Sequence, residues 1–546
     1  MRKLAIVTAV LVAAVLVFLL ATLPPQPVAA RWSGDPSIPA RTVGGAYHVH
    51  TTRSDGVAGR AAVAAAAARA GLQFVIFTEH GDGMTAPEPP AYLSGVLCLD
   101  GVEISTNGGH YTAIDLPQTP YPLGGEASAV VEDVRRFGGF GFIAHPDSPR
   151  SELAWNDWTL SFDGVEWMNA DSEWRDEPRP RMLRVLFDYM FRPGPALASL
   201  LDRPVMTLTR WDALTTRRPV VAIAGHDAHG GFGVGAEGGG WWGVPLPSYE
   251  ASFKTFSTRV LLDSPWVGDA AADGRVLVDA IRAGRVHTVI DAVATPGYLL
   301  WRREAEDTLV AEASLPPGGQ LVVLHAEGPV IGREVLRSAD PRQVVKGKLR
   351  GAYRVEVRVP WGPGEPPIPW LVSNPIYFLP ATNSMAASSG PRELLNWPSP
   401  PAWHAEHDPT TRSTMTEADD RVTLAFELGG GEPRSQFAAI AADLPRGMPS
   451  FDSVSFEATA SRPMRVSVQL RYPEGDHRWG HSVYLDSDTQ PLTLRVDDLL
   501  PLEDQSTRAP DPAAARSILF VVDLVNARPD DQGRFEIRNL AVGLTR

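Results

Sequence analysis

The chain has a single cysteine, Cys98, in 546 residues. An internal disulfide is therefore excluded, and no cysteine follows the N-terminal apolar run to accept a lipid. One thiol says nothing of the redox compartment. Clustered basic residues are missing too: no long run of Lys or Arg occurs, and the formal net charge is −14. Binding a nucleic-acid backbone draws on clustered Lys and Arg, so no nucleic-acid partner is expected. Long apolar runs are confined to one place. Leu4 to Leu23 carries no charge and follows Arg2 and Lys3. A bilayer core takes about 20 such residues, whereas a cleaved secretory signal has an apolar region of about 7–15. Residues 1–30 are expected to form a membrane anchor, or a signal peptide cleaved near Ala30, where "PVAARW" supplies small residues. Under either reading the positive flank stays in the cytoplasm and the rest is exported.

What is present suggests several domains, since this length exceeds one ordinary core. Over residues 45–300, apolar strand-like runs alternate with helical ones. "GRAAVAAAAARAG" (Gly59 to Gly71) is a strong helix former closed by glycine. "LQFVIFTEH", "YLSGVLCLDGVEIS", "GGFGFIAHP", "DGVEWMN" and "RPVVAIAGHDAHG" read as buried strands. Near-continuous apolar strands separated by helices predict a parallel sheet covered on both faces, hence an α/β barrel or something close to it. From Trp301 the pattern becomes two-residue alternation, as in "QLVVLHAEG" and "AYRVEVRVP". Residues 301–380 are expected to form a small β-sandwich, 381–401 a linker, and 402–546 a second sandwich of jelly-roll type.

The chemistry gathers at strand ends. His48 and His50 lie two apart, and in a strand such residues share a face. Asp55 follows in the next loop. His80 closes "FVIFTEH", Glu103 follows "LCLDGV", His110 follows a glycine pair, His145 ends "FGFIAH", and Asp227 and His229 end "VVAIAGHDAH". Parallel α/β folds build active sites at the carboxyl ends of their strands. Taken singly, His80 or His145 reads as a satisfied buried histidine and Asp55 as a turn residue before Gly56. Jointly, six histidines and three carboxylates at strand ends read as a metal centre. Mixed imidazole and carboxylate donors suit Zn²⁺, Mn²⁺ or Fe²⁺.

"HVHTTRSDG", "VIFTEHGD", "GVEIST", "IAHPD" and "GHDAH" together resemble the PHP (polymerase and histidinol phosphatase) superfamily of metal-dependent phosphoesterases. The resemblance spans residues 45–300 and lies closest to the carbaryl-hydrolase-type branch. It implies a distorted seven-stranded α/β barrel holding two or three divalent ions, Mn, Zn or Fe. Carried over, His48, His50, Glu103 and Asp227 would hold the first ion. Glu103 would bridge to a second, held by His110 and His145. Asp55, His80 and His229 would hold a third. Two positions depart from the family pattern. Glu79 stands where an aspartate is usual, and His226 where a serine is usual. His226 is open to a proton-donor role or to a supporting one.

The activity so implied is hydrolysis of a small, anionic phosphoester: a water bridging two ions attacks in line. Asp227 is the candidate proton acceptor. Arg53 and Arg150, just after ligand motifs, are candidates for binding the anion, since guanidinium forks match phosphate; both can equally be solvated surface residues. The alternative is hydrolysis of a carboxylic ester, carbamate or amide by the same centre, favoured if Trp155, Trp158, Trp167 and Trp174 form an apolar rim rather than pack. A third reading makes the chain a cell-surface binding protein. Residues 402–546 loosely resemble galactose-binding-like jelly rolls, and Trp479 offers a ring for stacking on a glycan.

Overall fold

The computed structural model describes residues 2–231, 246–380, 392–418, 420–446, 448–473, 477–502 and 510–545. Most of the expected linker, residues 381–391, lies outside the described residues. The chain divides into two compact units: residues 1–81, 87–116 and 134–381, and residues 82–86, 117–133 and 382–546.

The first unit is mixed α/β. Its principal strands are β1 (Thr42–Tyr47), β2 (Phe74–His80), β3 (Val96–Thr106), β4 (Gly109–Ile114), β5 (Phe140–Ile143), β6 (Gly164–Asn169), β7 (Val221–Gly225), β8 (Ser257–Leu261) and β9 (Val286–Val289). They lie in the sheet order β9-β8-β1-β2-β3-β4-β5-β6-β7. Period-2 alternation explains burial on both sides. Phe74 and Ile76 of β2 join a core cluster with Tyr47, Leu99 and Ile223. Val75 and Phe77, pointing the other way, join a second cluster with Val63, Ala67 and Phe253. The alanine-rich run forms helix α2 (Arg60–Arg69), which follows the N-terminal helix α1 (Arg2–Ala21) among those labelled here. Val63, Ala64, Ala66 and Ala67 are its buried residues, and such short side chains let a helix lie close to a sheet.

The strand pairing corrects two expectations. The sheet is not wholly parallel: β4 runs antiparallel to both β3 and β5. Its cause is local. Asn107 and Gly108 link β3 to β4 as a two-residue hairpin, a tight turn at the glycine pair before His110. Among the described residues, the paired strands close no ring. An isolated parallel bridge, Val49 to Ala228, links the chain just beyond β1 to the chain just beyond β7, and His226 N–H donates to Tyr47 O at 2.9 Å. Lastly, residues 301–380 do not stand apart as a sandwich. Gln320–Glu327, Val330–Ser338, Gly351–Arg358 and Leu371–Ser373 extend the same sheet, because Leu371–Ser373 pairs with β9. Leu299–Ala305, Thr308–Ala313 and Arg342–Lys346 make a separate three-stranded sheet. Alternation marks a strand but not its partner.

The second unit is a two-sheet β-sandwich. One sheet contains Arg412–Ala418, Arg421–Glu427, Ser453–Ala460, Gln490–Arg495 and Gln532–Thr545. The other contains Ala402–His407, Phe437–Asp443, Met464–Arg471, Arg478–Leu485 and Ser517–Asp523. Leu424, Phe426, Val466, Val468, Phe520 and Phe535 share its core. Trp479 is half-buried against that core. Residues 117–133 belong to this unit as well: buried Arg465 forks onto both oxygens of Asp133, each at 2.7 Å.

Candidate metal centre

The nine residues singled out as metal ligands come together in the first unit. Four overlapping groups have their donor atoms within 4.8 Å of one another: His50, Asp55, His80 and His229; His48, Glu103 and His145; His48, His50 and Asp227; His80, Glu103 and His110. They arrive on six neighbouring strands and the chain just beyond them. His48 and His50 follow β1, His80 ends β2, Glu103 lies in β3, His110 in β4, His145 follows β5, and Asp227 and His229 follow β7. The antiparallel hairpin matters here, because it sets Ser105 opposite His110 and so brings His110 back toward Glu103.

Glu103 is the hub and is buried. Its Oε1 lies 2.7 Å from His110 Nδ1 and 2.9 Å from His145 Nε2. Its Oε2 lies 3.1 Å from His48 Nε2, 3.2 Å from His50 Nε2 and 3.3 Å from His80 Nδ1. Asp227 Oδ1 stands 3.5 Å from His48 Nε2 and 3.3 Å from His50 Nε2. Asp55, half-exposed, reaches His229 at 3.2 Å and His80 and His50 at 3.5 Å. The backbone is strained at this place. His48, His145 and Asp227 have φ of 62°, 29° and 46°, a region that L-residues seldom adopt outside functional sites.

Whether these residues fit a cation can be tested on the geometry. His50 Nε2 is buried and accepts or donates no hydrogen bond, although two carboxylate oxygens lie within 3.3 Å of it. His48, His110 and His145 do hydrogen-bond Glu103, but the orphaned His50 Nε2 facing two carboxylates leaves a donor that a shared cation would satisfy. The electrostatics agree. Burial alone would push the Glu103 carboxyl up, but His48, His110 and His145 hold it well below the carboxylate range. Burial opposes charge on His50, yet Asp227 and Glu103 raise it to about 10. Protons on the imidazoles thus balance the carboxylates wherever a cation does not. The site fits a divalent ion.

Two carboxylates outside the expected set hold it. Glu166, fully buried on β6, takes the His48 Nδ1 proton at 2.6 Å through Oε1. Its Oε2 accepts from His145 N–H at 2.7 Å and Asn169 Nδ2 at 2.8 Å. A Cβ on Gly225 would overlap this carboxylate, which is why that position has no side chain. The sequence signal was a lone acid in the apolar run "GVEWM". Glu79 accepts from Thr51 N–H at 3.0 Å, Thr51 Oγ1 at 2.6 Å and Ser54 Oγ at 2.5 Å, which pins the loop that presents Asp55.

The remaining candidates fall out as follows. Arg53 is committed to Asp100 at 2.8 Å, away from the ligand set. Arg150 is exposed in the turn after His145 and has no ion pair among the described residues. His226 is buried, stacks on Phe256 at 4.1 Å and lies 3.1 Å from Phe256 O through Nε2. Burial lowers it to about 4, so it is a neutral wedge and not a proton donor. Trp155 and Trp167 are buried, Trp167 bonded to Thr288 Oγ1 at 2.9 Å. Trp158 packs edge-on to Phe162 and Trp174 against a small helical core, so the four do not form an apolar rim.

No known family profile and no curated protein matches the chain. Among solved structures, a family 11 carbohydrate-binding module from Clostridium thermocellum, in complex with a β-1,3-1,4-mixed-linked tetrasaccharide, is 14% identical, with 28% of this chain and 96% of that one covered and a TM-score of 0.22. A family 29 carbohydrate-binding module is 16% identical, with 25% and 77% covered and a TM-score of 0.17. Likenesses this slight carry no argument about function.

Proposed function

We propose that the chain is a metal-dependent hydrolase of phosphate esters. One observation carries the reading: eight imidazole and carboxylate groups, carried on or just beyond neighbouring strands, converge with the buried Glu103 carboxylate. His48, His50, Glu103 and Asp227 would hold one ion, Glu103, His110 and His145 a second, and Asp55, His80 and His229 a third. Mn, Zn or Fe suits this donor set. When bound, such ions polarise a phosphoryl oxygen and lower the pKa of water. The chain's own residues do the rest. Asp227, ionised beside three histidines, is placed to accept a proton. Arg150 is free to fork onto an anionic substrate, a role that Arg53 meets less well because Asp100 holds it. In the same reading β1 to β7 form a distorted seven-stranded barrel, supported by the Val49–Ala228 bridge between its first and last strands. The N-terminal segment is read as a membrane attachment and the remainder as exported.

Packing of the tryptophans removes the motive for preferring carboxylic esters, carbamates or amides. A second reading, glycan binding by the C-terminal sandwich, is favoured by a polar array on one of its sheets. Arg471 forks onto Glu406 with both bonds at 2.8 Å, and His404 joins Glu406 at 2.8 Å. The two activities can coexist in one chain.

The decisive experiment measures metal content of the purified chain and its turnover of p-nitrophenyl phosphate, the bis-ester and an aryl acetate, beside Asp227→Ala. Phosphoester turnover that needs metal and disappears in the variant is expected. Turnover of the acetate alone moves the assignment to a carboxylic ester hydrolase. Absence of any retained metal overturns the reading.

A further inference from the structure

Helix α3 (Arg179–Tyr189) has two apolar faces, and among the described residues only one of them has a partner. Val185 is buried in a small cluster with Ala196 and Leu200, with Met182 and Tyr189 packed against it. On the other face Leu183, Leu186, Phe187, Met190 and Phe191 recur at helical spacing. Leu183 is 70% exposed and Met190 69%, with Leu186 and Phe191 exposed beside them. Exposed large apolar side chains in one stripe ordinarily mark an interaction surface.

The neighbourhood says what covers it. Arg184 leaves this helix to bind the end of α1. Its guanidinium donates to Thr22 O at 2.8 Å, Thr22 Oγ1 at 2.9 Å and Leu19 O at 3.2 Å. Arg192 donates to Pro24 O. Arg184 takes carbonyls at the C-terminal end of α1 and Arg192 one in the chain just beyond it, and together they tie α1 to α3. Along α1 itself, Val10, Val12, Val15, Val17 and Phe18 are all exposed, so its described apolar surface has no protein partner. Among the described residues, no helix is long and apolar enough to cross a membrane. Charge adds direction. Although the chain carries −14 overall, Arg179, Arg181, Arg184 and Arg192 flank the stripe. Arg181 and Arg184 have carboxylate partners in Glu177 and Asp188; Arg179 and Arg192 have none among the described residues.

We infer that the outer face of α3 seats on an anionic lipid surface beside α1. The pattern is that of an interfacial helix, with apolar side chains below the headgroups and arginines at their level. The seat shares with the proposed function only its membrane attachment, and it is independent of the hydrolase reading.

The test uses the full chain in vesicles of phosphatidylcholine with anionic phosphatidylglycerol. Single nitroxide labels are placed by Arg179→Cys, Leu183→Cys, Leu186→Cys and Met190→Cys; native Cys98 is buried and stays unlabelled. Flotation reports attachment. Relative accessibility to oxygen and to a water-soluble nickel chelate reports depth. Labels at 183, 186 and 190 are expected to favour oxygen, and the label at 179 to lie nearer the headgroups. Chain that floats while the 183 and 190 labels favour nickel keeps the attachment and overturns the seat. Chain that does not float overturns both, with phosphoester turnover still assayable in either case.

Discussion

Glu166 Oε1 lies 2.6 Å from His48 Nδ1, and this fixes the tautomer of the histidine at the centre of the candidate site. With Nδ1 donating to Glu166, loss of the Nε2 proton would leave a lone pair on the side of Glu103 and Asp227, free for a cation. The same carboxylate also fixes the backbone of His145. Partners of this kind commonly set metal affinity within about 10–100-fold. Glu166→Gln keeps the shape and removes the charge. Its affinity for Mn²⁺, measured against a competing chelator, is expected to fall by roughly tenfold or more. An unchanged affinity would show that Glu166 only fills space.

Metal uptake is expected to depend on pH, with a definite sign. Burial opposes a charged His48, but Glu166, Asp227 and Glu103 raise it well above the ordinary imidazole value, and His50 rises to about 10. Both imidazoles therefore hold protons in the cation-free site, and a divalent ion must displace them. Affinity is expected to rise with pH from neutrality toward about 10, where His50 itself loses its proton, and calorimetry in two buffers of different ionisation enthalpy is expected to show net proton release. Uptake without proton release would mean that the histidines bind in their neutral form from the start.

Much of this centre was legible because its residues obey simple spacing. A His-x-His pair shares a strand face, and the other donors stand where apolar runs end. The supporting carboxylates were harder to see. Glu166 is one acid within a strand, and its partner is 118 positions away in sequence. His226 shows the reverse: its place beside Asp227 suggested chemistry, but stacking on Phe256 decided its role. In the fold, alternation marked residues 402–546 as a sandwich, whereas its strand Phe437–Asp443, with "FAAIAAD", has too few polar residues to show a period. The join between Leu371–Ser373 and β9 depends on which strands pair, which no local pattern encodes.

Glu79 offers a test that separates one part of the site from another. It holds the Thr51–Ser54 turn, and that turn carries Asp55. Asp55 belongs with His50, His80 and His229, not with the Glu103, His110 and His145 side. Glu79→Ala is expected to lose the ion of the Asp55 group first. Metal analysis after dialysis would then give one ion fewer per chain than the parent. Loss of all metal would show that the loop supports the whole centre.

Away from the centre, Glu356 anchors the strands that extend the main sheet. It is fully buried and meets three arginines: Arg203 at 2.9 Å, Arg354 at 2.7 Å and Arg358 at 2.6 Å. Burial alone would raise its carboxyl, but Arg354, Arg203 and Arg358 hold it at about 2. A depressed carboxyl stabilises the fold fully above its unfolded value, and this contribution is lost as the pH falls toward its folded one. Glu356→Gln leaves Arg203 without a counter-charge, while Arg354 keeps Asp212 and Arg358 keeps Glu334, a defect of up to about 3 kcal/mol. The variant is expected to unfold at lower urea concentration than the parent at neutral pH, and the gap should narrow between roughly pH 4.5 and 2. A gap that stayed constant across that range would assign the loss to packing instead of charge.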